Sequence, residues 1–146
     1  MTQEDALAKI LNEQVLGYKM LLELLQKERL CLIELNAAAV EELYKEKDVL
    51  ILKLRLLEDE RLRLMKDLDR GDITLQKLGE VTGNKAFLDI RSKLKSLMQA
   101  IEELNNFNRL LIERSLSYFR SNSGFFNTFG FGDGTPQKGM LISKET

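Results

Sequence analysis

Side chains able to make or break bonds are scarce in this chain of 146 residues, and their spacing suits no known catalytic pattern. It contains no His, and Cys31 is its single Cys. A Ser-His-Asp triad, a Cys-His dyad and the common zinc sites each need an imidazole or several thiolates, so all three are excluded. Carboxylates remain, but inward-facing di-metal centres of helical bundles rely on Glu-x-x-His pairs, and at the interior positions identified below only Glu28 is acidic. Gly130, Gly132 and Gly134 have neither the preceding strand nor the following helix of a phosphate cradle. Lys45, Lys47, Lys53 and Arg55 alternate with acidic residues, and the net charge is -1, which describes a solvated helix face rather than a nucleic-acid interface. Cys31 reads as a buried thiol in a leucine-rich helix. The expectation is a protein without catalytic residues, cofactor or metal, whose work is binding.

The elements that would present a binding surface are helices. The chain holds 29 Leu, its only Pro is Pro136, and glycines in the first 120 residues occur only at 17, 71, 79 and 83. Breakers this sparse permit long helices. Spacings of four and three residues trace a first stripe through Leu7, Leu11, Gln14, Tyr18, Leu21, Leu25, Glu28, Leu32 and Leu35. A second runs through Val40, Leu43, Lys47, Leu50, Leu54, Leu57, Arg61, Leu64 and Leu68, with Asn36 suited to the helix terminus between them. Folded antiparallel so that paired numbers sum to 75, the two stripes set Glu28 against Lys47 and Gln14 against Arg61. Polar positions then face polar ones, which fixes the register because an unmatched charge in an apolar seam is costly.

Ile10, Val15, Leu22 and Leu24 widen the apolar face of the first helix beyond a two-helix seam and call for a third. Residues 84–120 supply it, with Asn84 as N-cap and Phe87, Ile90, Leu94, Leu97, Ile101, Leu104, Asn108, Leu111, Ser115 and Tyr118 as its seam. Before it, Gly71 stops the second helix, Ile73 staples onto Leu78, Thr74 caps a short helix and Gly83 ends it. The fold class is therefore all-α: an antiparallel, coiled-coil-like bundle of three long helices and one short one over residues 1–120. Residues 121–146 hold five of the nine Gly and four of the seven Phe, and read as a separate flexible tail. Leu16, Leu30, Leu52 and Leu110, off the seams, together with Phe125, Phe126, Phe129 and Phe131, are the surplus apolar residues with which partners would be met. The acidic start Met1-Thr2-Gln3-Glu4-Asp5 is no secretory signal, and no apolar run reaches the ~18–20 residues of a membrane helix. A cytoplasmic protein without membrane insertion is expected.

In this setting Glu28-Arg29 before Leu30, the Lys47 and Arg61 spacing, Ile73-Thr74-Leu75, and Leu104-Asn105-Asn106-Phe107-Asn108-Arg109-Leu110-Leu111 are together similar to the FlgN family of flagellar type III export chaperones. The resemblance extends over nearly the whole chain. It implies a cytoplasmic chaperone that binds C-terminal segments of hook-filament junction proteins, keeps them unassembled and delivers them to the export gate. It places cargo on the last helix, here the face of Leu97, Ile101, Leu104, Asn108 and Leu111. It also associates a Tyr-Gly motif followed by Asp-Gly with the gate. Phe129-Gly130-Phe131-Gly132-Asp133-Gly134 matches that motif with Phe in place of Tyr, which makes Phe129, Phe131 and Gly132 the gate-contact residues. Two other readings stay open: a coiled-coil scaffold that forms a homo-oligomer, and a FliT-like chaperone of the filament cap protein.

Overall fold

The computed structural model of the protein describes residues 2–68 and 74–118. Among them are four helices and no strand: α1 (Gln3–Ile33), α2 (Ala37–Asp67), α3 (Leu75–Thr82) and α4 (Lys85–Tyr118). Each start has a local cause. Thr2 and Asp5 form a capping box at α1, the Asn36 side chain accepts from the Ala39 N–H at α2, and Thr74 accepts from the Lys77 N–H at α3. Asn84 accepts from the Ala86 N–H, and Gly83, at φ 70°, takes the left-handed conformation that ends α3. The expectations for Gly71, Ile73, the side chain of Tyr118 and everything from residue 119 onward, including Phe125, Phe126, Phe129, Phe131 and Gly132, lie outside the described residues.

The α1–α2 hairpin has the expected register, with one correction at its tip. Lys47 Nζ donates to Glu28 Oε2 at 3.1 Å, and of the first stripe every residue from Leu7 to Leu32 is buried. Leu35, expected to close the seam opposite Val40, is instead 41% exposed and stands at φ 57°. The reason is the way α1 stops. The Asn36 N–H donates to the Cys31 carbonyl at 2.9 Å and the Leu35 N–H to the Leu32 carbonyl at 3.1 Å, a Schellman closure that puts Leu35 in the left-handed position and turns its side chain outward. Asn36 completes this closure and caps α2 at once, which makes the turn so short. Gly17 permits close approach of the two helices, since a Cβ there would come within 2.6 Å of Leu54 Cδ2.

Helix α1 is the centre of the molecule: α2 packs along one side of it and α4 along another, while α3 lies against α4. Helix α4 runs parallel to α1, because Lys19 borders Ser92, Lys93, Ser96 and Leu97, Asn108 reaches Leu25 and Glu28, and Leu116 packs on the cluster of Leu32 and Val40. The flanking residues Val15, Ile10, Leu22 and Leu24 are packed into the core, as a third long helix requires. That core has two parts. Eighteen buried residues from Leu7 to Ile101 form the larger, and Leu32 with Val40 forms a small one at the hairpin tip, ringed by half-buried Cys31, Ala37, Leu111, Ile112 and Leu116. Cys31, expected to be buried, is only half so.

Candidate functional site

The polar residues of the seams sit in two layers, and each is tied by hydrogen bonds rather than left open to chemistry. In the layer near the tip, Glu28 accepts from Lys47 through Oε2 and from Asn108 Nδ2 through Oε1 at 3.0 Å, while the same Nδ2 donates to the Leu25 carbonyl. One carboxylate therefore links α1, α2 and α4. In the other layer, Gln14 and Arg61 meet through a third residue, Glu58. Gln14 Nε2 donates to Glu58 Oε1 at 3.2 Å, and Arg61 grips the same carboxylate through Nε and Nη2 at 2.5 and 3.2 Å. Glu58 was not among the seam residues; its place one turn before Arg61 on α2 was the available signal. Tyr18, fully buried one turn beyond Gln14, has its hydroxyl pKa raised well above the ordinary phenol value, by burial first and by the Glu58 carboxylate second, with Arg61 opposing. Among the described residues no group of His, Cys, Asp and Glu is arranged to hold a metal ion, and no helix is long and apolar enough to cross a membrane.

These ties decide what a partner would meet on α4. Of the five residues expected to form the cargo face, Ile101 is 2% exposed and Asn108 1%, the first in the large core and the second bonded to α1. They face inward. Leu97, Leu104 and Leu111 are half-buried, packed on the core by one side with the other open. The residue that joins them outside is Phe107, 46% exposed, so that Leu97, Leu104, Phe107 and Leu111 follow one another at seven, three and four residues along the edge of α4 beside α1. On α1, Leu30 and Ile33 continue the stripe of Lys19 and Gln26 at intervals of seven, four and three. Both are more than half exposed. Lys19 of α1 and Ser92, Lys93, Ser96 and Leu97 of α4 line a surface cleft. Leu110 is exposed, as expected for an off-seam leucine.

Leu16 with Met20 on α1, and Val49, Leu52 and Leu56 on α2, are also exposed.

A family model described as FlgN protein matches residues 1–128. No curated protein and no solved structure matches the chain.

Proposed function

The chain belongs to the FlgN family, which is one of flagellar export chaperones rather than enzymes, and on that premise we propose that it binds the C-terminal helical segments of hook-filament junction proteins in the cytoplasm and carries them to the export gate. The observation that supports this reading is the apolar edge of α4, where half-buried Leu104, exposed Phe107 and half-buried Leu111 follow one another at three and four residues and offer an amphipathic helix a stripe to pack on. Segments that assemble by helix packing expose the same apolar stripe before assembly, and a surface that covers it keeps them apart. Binding and release suffice, without bond chemistry. In this reading the cargo face is Leu97, Leu104, Phe107 and Leu111. Ile101 and Asn108 support it from beneath, holding α4 on α1. We assign gate contact to Phe129, Phe131 and Gly132 of the tail, 121–146, which leaves cargo and gate on separate parts of the chain and allows both to be held together.

The test is titration of the full chain with a peptide from the C-terminal segment of a junction protein, followed by calorimetry and sedimentation. A one-to-one complex is expected, lost in Leu111→Glu and weakened at least about tenfold in Phe107→Ser, an exposed site where folding is tolerant. A stable oligomer indifferent to the peptide identifies a scaffold and overturns the proposal. Binding confined to a peptide from the filament cap protein assigns the cargo to the FliT-like reading instead.

A further inference from the structure

We propose that this chain pairs with a second copy of itself through the outer face of α2, the two α2 helices running antiparallel about a twofold axis beside Leu52. Val49, Leu52 and Leu56 follow one another at three and four residues, and each is more than half exposed. That spacing puts them on one face of the helix. At 3.6 residues per turn Leu52 points about 160° away from Leu54, which is fully buried and stands against Gly17 of α1. The stripe therefore looks away from α1, the helix along which α2 packs.

The charges at the two ends of the stripe select the occupant. Glu42 and Lys45 form an ion pair at 3.5 Å before it, and Glu60 and Arg63 form another after it. Glu42, Lys45 and Arg63 are exposed and Glu60 is partly so. In both pairs the acid comes first. Laid antiparallel so that facing numbers sum to 105, Glu42 of each copy meets Arg63 of the other, Lys45 meets Glu60, and Val49 meets Leu56. One register thus satisfies both charged ends and the apolar middle, and Leu52 falls next to the axis and packs on its own counterpart. Parallel pairing sets Glu42 against Glu42 and Arg63 against Arg63, and like charges facing each other repel. The paired stretch, 42–63, is roughly 32 Å of helix. With three apolar side chains from each copy the contact is small, and dissociation on the order of micromolar is expected. The pairing does not rest on the proposed function, since none of its residues lies on α4, and a dimer built on it keeps one cargo edge per copy.

Sedimentation of the full chain across the micromolar range should show a monomer–dimer equilibrium. Leu52→Asp, at an exposed position, should raise its dissociation constant at least about tenfold, with far-ultraviolet circular dichroism verifying that the helices are kept. The register is read by disulfide trapping in a Cys31→Ser background, which removes the single native thiol. Val49→Cys and Leu56→Cys proteins should cross-link to each other when mixed and oxidised, and neither should cross-link to itself. A monomer at every concentration overturns the proposal. So does a dimer indifferent to Leu52→Asp, which places the contact on another surface, or self-cross-linking of Val49→Cys, which makes the helices parallel.

Discussion

Glu28 accepts hydrogen bonds from side chains on two other helices, and this makes it the residue on which the arrangement of the three long helices turns. Removing Asn108 leaves its Oε1 without that donor at a buried position. Asn108→Ala is expected to cost about 1–3 kcal/mol in urea unfolding. For the Glu28 and Lys47 pair, a double-mutant cycle with Glu28→Leu and Lys47→Leu should show coupling of roughly 1–3 kcal/mol, and additivity would remove the register argument. Tyr18 carries a pH signature. Its folded-state pKa lies above the unfolded value of about 10, so below that pH its contribution is fully present, and as pH rises beyond it the unfolded chain ionises first. Stability should then fall by up to about 1.4 kcal/mol per pH unit from this group alone, a slope to be read as the difference between the parent and Tyr18→Phe.

At the scale of elements, the tip of the α1–α2 hairpin holds a leucine where the backbone favours glycine. A non-glycine residue in the left-handed region costs roughly 1–2 kcal/mol, and the extra chain entropy of glycine returns part of it. Leu35→Gly should stabilise the protein by about 0.5–1 kcal/mol, measured as a raised denaturation midpoint. Helix α4 owes its direction to α3: the Gly83 turn and the Asn84 cap allow it to start near the beginning of α1 and run the same way. Its inward side is then spent on α1, and only its edge is left for a partner. That is the physical reason Asn108 is buried against α1.

For the whole molecule, the Glu28, Lys47 and Asn108 layer separates a large apolar core from a small one. Opening free energy follows buried apolar contact, so hydrogen exchange of amides from Leu110 to Ser115 should be governed by a smaller opening free energy than that of Ile90 to Leu104. Equal protection throughout α4 would mean that the bundle opens as one unit.

The sequence by itself determined the helices, their caps and the register of α1 on α2. Those depend on local hydrogen bonding and on a repeat of apolar positions, and the polar layers can be matched by counting. It also led to the family, through short stretches such as Leu104 to Leu111. Only the tertiary structure decided which seam residues remain reachable. A stripe count treats Leu97, Ile101, Leu104, Asn108 and Leu111 as equals, but packing against α1 turns Ile101 and Asn108 inward and leaves the others at an edge, where Phe107 joins them. Likewise Glu58 entered the second polar layer, and Leu35 left the seam, because both depend on side-chain reach and chain reversal in three dimensions. Periodicity reports which side of a helix is apolar, and burial depends on how much of that side its neighbours cover.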